Sequence, residues 1–216
     1  MENRIASLLY DLGISDPDSI VPFHPRVRDR EDVAVLKCQK SGVIFLSRSD
    51  HMDISYYEGN DNFSFWGALE RKATIAAKSE DTQRRFQQFG SVVANKKWMD
   101  VGAGAGAVLD AFSPLASETI AVEPQEEGRQ SIAESGYDVY GSVEEVPHDD
   151  IEVVTLFHVF EHLIDPIGTA TTLRNKMSAG GKIVIEVPHA EDFLISFLDL
   201  EEFKSFTFWS EHYFLE

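Results

Sequence analysis

The sequence predicts an α/β fold, a doubly wound and mostly parallel sheet, preceded by a small α+β N-terminal module. Three observations predict it. From Lys97 onward short apolar runs alternate with helical patterns, which is the mark of βαβ units. The first run ends in a glycine-rich turn, Asp100-Val101-Gly102-Ala103-Gly104-Ala105-Gly106, and the second ends in a carboxylate, Glu123.

Taken in order, Ile5, Leu8, Leu9 and Leu12 recur at helical spacing, so a short amphipathic helix opens the chain and stops at Gly13. A Pro-containing connector spans 16–25. The β-rich runs 33–36 and 43–46 flank Cys38, Ser41 and Gly42 and read as a hairpin. These pieces form the N-terminal module, residues 1–62. The second domain, 63–216, begins with one long helix at about 65–89, carried by Leu69, Ala73, Ile75, Ala76, Phe86 and Phe89. Its strands are expected at 98–101, 119–122, 138–140, 153–157 and 183–187, with helices at about 105–111, 126–134 and 167–177. A further helical pattern lies near 192–203. In such a sheet ligands bind at the carboxyl ends of the strands, so the loops after the first, second and fourth strands are the places to look.

Composition narrows the function. With 19 basic and 37 acidic residues the formal net charge is −18, which repels phosphate backbones, so no nucleic-acid partner is expected. A neutral or cationic small molecule suits the chain better. No stretch approaches the roughly 20 apolar residues of a spanning helix, and no membrane partner or export signal is expected. Cys38 is the only cysteine, which excludes an internal disulfide and points to a reducing, cytoplasmic setting.

The glycine turn admits two ligands. Glycines permit positive φ and close backbone approach to a nucleotide, and Gly102, Gly104 and Ala107 also spell the G-x-G-x-x-A dinucleotide fingerprint. Charge separates the two readings. A pyrophosphate on the helix N-terminus would be repelled by Asp100, whereas a ligand bearing an ammonium and a sulfonium would be attracted. Glu123, in Ala121-Val122-Glu123-Pro124, stands where it can accept both ribose hydroxyls of either nucleotide.

Residues 97–189 resemble the core of class I S-adenosylmethionine-dependent methyltransferases, similar to the ubiquinone-biosynthesis and sugar-modifying groups. The D-x-G-x-G-x-G loop, IAVEP, GSVEEVP, EVVTLFHVFEHLIDP and GGKIVIEVPH follow in that family's order. The resemblance implies a Rossmann-like fold and S-adenosyl-L-methionine as cofactor, with S-adenosyl-L-homocysteine as product. It further implies that Gly102, Ala103, Gly104 and Gly106 hold the methionine part, Glu123 the ribose, Ser142 and Val143 the adenine surroundings, that Pro124 belongs to the cofactor site, and that Phe157 and His158 face the methyl transfer. The implied reaction is methylation of a small acceptor such as a sugar or other cell-surface precursor. A nicotinamide-dependent oxidoreductase and a non-catalytic cofactor-binding or scaffolding subunit are the alternatives.

His158-Val159-Phe160-Glu161-His162 also spells H-x-x-E-H, a zinc-peptidase pattern. Asp165-Pro166 breaks it after barely one turn, and a metal pair needs a further ligand, so no metal is expected there. His158 and His162 are instead candidate general bases, with Glu161 as orienter. The hairpin around Cys38 resembles the zinc knuckle of some sugar methyltransferases, with Ser41 in place of the second cysteine, and reads as a metal-free remnant. The aromatics Tyr56, Tyr57, Phe63, Phe65 and Trp66 are read as core, with a share in lining the acceptor site. Only 29 residues follow the fifth strand, where the family adds a helix and a β-hairpin. The C-terminal sheet edge is therefore expected to be incomplete, either truncated or covered by a partner, including another copy. In that segment Ser210, Glu211 and His212 are candidates for approaching the acceptor.

Overall fold

The structure is a computed structural model that describes residues 3–51 and 71–215. In chain order its elements are α1 (Arg4–Asp11), a 3-10 turn (Pro17–Ser19), β1 (Ile20–His24), β2 (Val35–Cys38), β3 (Ile44–Leu46), α2 (Arg71–Ala77), α3 (Ser79–Val93), β4 (Lys97–Val101) and α4 (Ala107–Phe112). There follow β5 (Glu118–Val122), α5 (Glu126–Glu134), β6 (Asp138–Tyr140), β7 (Ile151–Phe157), a 3-10 turn (Phe160–His162), α6 (Pro166–Lys176), β8 (Met177–Glu186), α7 (Phe193–Ser196), α8 (Glu201–Thr207) and β9 (Phe214–Leu215). Contacts group the described residues into two compact units. One holds 71–157 and Asp165–Ile185; the other holds 3–51, His158–Ile164 and 186–215.

The first unit is built on a five-stranded sheet of order β6-β5-β4-β7-β8. The central strand β4 pairs in parallel with β5 and β7, and β5 in parallel with β6, so that Asp100 stands level with Ala121 on one side and Thr155 on the other. Strands buried on both faces read as continuous apolar runs. Accordingly Trp98, Met99, Ile120, Val154 and Leu156 are all fully buried, together with Leu109, Phe112 and Ile132 from the adjoining helices. The Trp98 indole N–H donates to Thr155 Oγ1 at 2.9 Å, satisfying the one polar atom of the largest core side chain.

Local chemistry sets the helix starts. The Gln125 side chain accepts the Gly128 N–H, and Glu126 and Glu127 occupy the first turn of α5, where the helix dipole favours them. Asp165 caps α6 in the same way, with Pro166 at its first position. The expected helix at 65–89 is divided at Lys78 into α2 and α3; its first part, 65–70, lies outside the described residues, as do Tyr56, Tyr57, Phe63, Phe65 and Trp66. Strand β8 is twice the length expected from 183–187. It is an edge strand, half-exposed along its length, and Ser178, Gly180, Gly181 and Lys182 hide its period-2 signal.

The second unit is a four-stranded sheet of order β1-β2-β3-β9, antiparallel throughout. The expected hairpin is present, shifted to include Cys38, with Gly42 at φ +84° in its turn. Helix α1 is capped by Asn3, whose Oδ1 accepts from Ile5 and Ala6, and it buries Ile5 and Leu9. Two strands lie where the sequence suggested none. Strand β1 occupies the expected connector, and it can hold Pro22 because it is an edge strand. Strand β9 pairs Leu215 with Ile44 and Phe214 with Phe45, all four residues buried, which brings the end of the chain into this unit. The helix expected at 192–203 is two short helices, separated at Asp199, whose φ is +50°. Among the described residues no helix is long and apolar enough to cross a membrane.

Candidate functional site

At the end of β4 the chain turns through Gly102 (φ +73°), Gly104 (φ +56°) and Gly106 (φ +78°) before α4 begins. A side chain in this left-handed region costs about 1–2 kcal/mol. A Cβ added at Gly104 would meet nothing within 4 Å, so backbone angle rather than packing selects glycine there. The N–H groups of Gly102 and Ala103 donate to Val122 O at 2.8 and 3.1 Å, tying the loop to the end of β5.

Glu123 follows immediately. Its Oε2 accepts the Gly104 N–H at 2.6 Å and its Oε1 the Gln125 N–H at 2.9 Å. The residue is buried, and that burial raises its carboxyl above the ordinary range. Gly128 is pressed close: a Cβ there would stand 3.1 Å from Gln125 Oε1, 3.3 Å from Glu123 Cγ and 3.5 Å from Gly104 O. Gln125 Nε2 is buried without a hydrogen-bond partner. Neither Gln125 nor Gly128 is among the residues expected for the site. A usable signal was present, since a glycine in the first turn of a helix that directly follows a strand-end acid indicates close approach.

Asp100 lies beneath the loop, 3% exposed, and its Oδ1 accepts the Thr155 hydroxyl at 2.5 Å. Burial pushes its carboxyl up to about 7, against the opposing effects of the Thr155 hydrogen bond and the Arg85 charge. Arg85, buried on α3, places its guanidinium 4.9 Å from the centre of the Phe157 ring. Nothing in the spacing of α3 marks Arg85 as a site neighbour. Phe157 packs against Phe89 and joins the core cluster with Trp98 and Phe112. Val143 is buried, whereas Ser142 and Pro124 are half-buried; the Pro124 and Glu123 carbonyls both accept from Arg129 Nη1.

The H-x-x-E-H residues belong to the other unit. His158 has φ +57° and its N–H donates to Glu186 O at 2.8 Å. Its half-exposed ring puts Nδ1 3.1 Å from Glu161 Oε1 and Nε2 3.4 Å from Glu186 Oε1. Glu161 is fully buried, and its Oε2 has no hydrogen-bond partner. His162 meets His212 edge-on, ring centres 4.9 Å apart. Burial, then the neighbouring His212, holds His162 down to about 4, and burial also lowers His212. Of the Ser210-Glu211-His212 segment, His212 turns its side chain to this cluster. Ser210 bonds Asp29 through both its N–H and its hydroxyl.

Residues 71–214 match the family described as a methyltransferase domain. No curated protein matches the chain. Among solved structures the chain is similar to a SAM-dependent methyltransferase from Archaeoglobus fulgidus (23% identity, 56% of this chain and 54% of that one, TM-score 0.43). It is also similar to a DhpI–SAH complex (16% identity, 64% and 69%, TM-score 0.51) and to the plantazolicin methyltransferase BpumL in complex with SAH (16% identity, 74% and 70%, TM-score 0.46). The chain spans about half the length of the first of these. A family match over two thirds of the residues, laid on a five-stranded α/β sheet with a glycine turn and an acid at the ends of adjacent strands, leads to one assignment: the chain belongs to the methyltransferase-domain family and has the fold of class I S-adenosylmethionine-dependent methyltransferases.

Proposed function

We propose that the chain binds S-adenosylmethionine at the ends of β4 and β5 and transfers its methyl group to a small acceptor, as an enzyme of the cytoplasm. The observation that carries the reading is the convergence of three left-handed glycines with the buried carboxylate of Glu123 on one loop. The residues fit that ligand. Glu123 oxygens each hold one backbone N–H and keep a lone pair for a ribose hydroxyl, and the partnerless Gln125 Nε2 is a donor in reserve beside them. Asp100 lies beneath the loop, and a cationic ligand beside it favours its ionised form, whereas the pyrophosphate of a nicotinamide dinucleotide would oppose that form.

The cofactor supplies an electrophilic methyl group; the protein aligns the acceptor and takes up its proton. His158 suits that second task better than His162, because its ring is half-exposed and oriented by Glu161, while His162 is enclosed. The acceptor class favoured by the sequence resemblance is a sugar or similar cell-surface precursor, and the net charge of −18 suits a neutral or cationic one.

Calorimetric titration with S-adenosylhomocysteine tests the reading, with Gly104→Val alongside. Micromolar binding by the parent, lost in the variant, is expected. No binding by the folded parent, or binding of reduced nicotinamide dinucleotide in its place, would overturn it.

A further inference from the structure

The H-x-x-E-H segment lacks the extended helix and the nearby third ligand that a zinc pair ordinarily uses, and on sequence spacing alone it holds no metal. The fold supplies what the spacing does not. The Phe160–His162 turn presents Glu161 and His162 together, and His212, fifty residues further on, arrives beside them. Two contacts fix that arrival. The Tyr213 N–H donates to Glu161 O at 2.8 Å, and Phe160 packs edge-on to Phe214 at 6.0 Å, at the start of the strand that pairs with β3.

One ligand atom from each of Glu161, His162 and His212 lies within 4.8 Å of the others. Two atoms of this cluster are buried without any hydrogen-bond partner: Glu161 Oε2, on a residue of zero exposure, and His212 Nδ1. A buried carboxylate oxygen left unpaired carries its full desolvation cost, so a native chain is expected to give it a partner. The surroundings also orient the ligands. Glu161 Oε1 is held by His158 Nδ1 at 3.1 Å and lies 3.9 Å from His162 Nε2, and the His162 ring hydrogen-bonds to the Glu211 backbone. Such outer partners fix which nitrogen or oxygen faces a metal.

We infer that Glu161, His162 and His212 form a binding site for a divalent transition-metal ion, zinc being the simplest, with an open coordination position. Two imidazoles and a carboxylate are the donor set of zinc sites that keep a fourth position for water or another oxygen ligand. Tetrahedral bonds of about 2.0–2.2 Å require the donors to draw in to roughly 3.4 Å apart. The His162 side chain, 15% exposed, leaves a way in for the ion. The site is independent of the S-adenosylmethionine-binding reading, since its three ligands are not residues given to the cofactor and all belong to the other unit.

The test is made on the full chain, stripped with chelator and titrated with Zn²⁺ in competition with a fluorescent indicator. Co²⁺ absorption is recorded on the same protein. The expected result is one Zn²⁺ per chain and a visible Co²⁺ spectrum of four- or five-coordinate nitrogen–oxygen type without a thiolate band. His212→Ala should weaken zinc by roughly 100-fold or more while circular dichroism and S-adenosylhomocysteine affinity stay unchanged, and Cys38→Ser should change nothing. The inference is overturned by no stoichiometric binding at about 100 μM Zn²⁺, or by binding that survives both His212→Ala and Glu161→Gln. A thiolate band in the parent, placing the ion at Cys38, would overturn it as well. Should His212→Ala fail to fold, the Co²⁺ spectrum of the parent decides alone.

Discussion

The Glu123 carboxylate accepts the Gly104 backbone N–H at 2.6 Å, joining the end of β5 to the glycine turn that follows β4. The same carboxylate also receives the Gln125 N–H, so one acid organises both strand ends. Two consequences can be measured directly.

Glu123→Gln keeps the shape and one acceptor but removes the charge. Hydrogen bonds to a charged group are worth about 1.5–3 kcal/mol, so S-adenosylhomocysteine affinity should fall by roughly 10- to 100-fold, read by calorimetry. An unchanged affinity would show that the acid serves only to hold the loop.

Gly128→Ala separates site geometry from stability. The added Cβ would stand 3.3 Å from Glu123 Cγ and must push that side chain by a few tenths of an ångström. Glycine within a helix otherwise costs about 0.5–1 kcal/mol relative to alanine. Affinity is expected to drop several-fold while the melting temperature holds or rises. A variant with full affinity would remove Gly128 from the site.

Asp100 gives a pH dependence of defined sign. Its folded carboxyl, at about 7, lies above the ordinary value of 3.8. The protonated form therefore contributes stability that is fully present below about pH 4 and lost as pH rises through 7. At about 1.4 kcal/mol per pH unit, the loss is on the order of 4 kcal/mol. Asp100→Asn keeps an acceptor for the Thr155 hydroxyl and carries no charge, so urea unfolding should show it more stable than the parent at pH 8, with a smaller gap at pH 5. A gap that is constant with pH would mean that Asp100 is ionised throughout.

For the histidines, His158→Ala should lower turnover by roughly 10²-fold or more and leave S-adenosylhomocysteine affinity within a few fold. His162→Ala should instead lower the melting temperature, because it opens a buried cluster. Equal turnover by the His158 variant and the parent would reduce His158 to a structural residue.

The parallel sheet was legible in the sequence because its central strands are buried on both faces and therefore spell continuous apolar runs, as at Trp98–Val101 and Val153–Phe157. The glycine turn and Glu123 were legible for a related reason: backbone angles and strand ends impose residue types locally. Edge strands carry no such mark. Strand β1 with Pro22, the first half of β8 with its glycines and the two-residue β9 are strands through their pairing with neighbours.

The sequence by itself determined what adjacent residues can dictate: the alternation of strands and helices from Lys97 onward, the left-handed glycines and the acid at the end of β5. Only the tertiary structure decided which distant residues meet. Gly128 against Glu123, Arg85 against Phe157, and His212 beside Glu161 and His162 depend on packing between segments separated along the chain. The physical reason is that local patterns record backbone geometry and burial period, whereas the partner of a buried charge is chosen by the fold that brings it there.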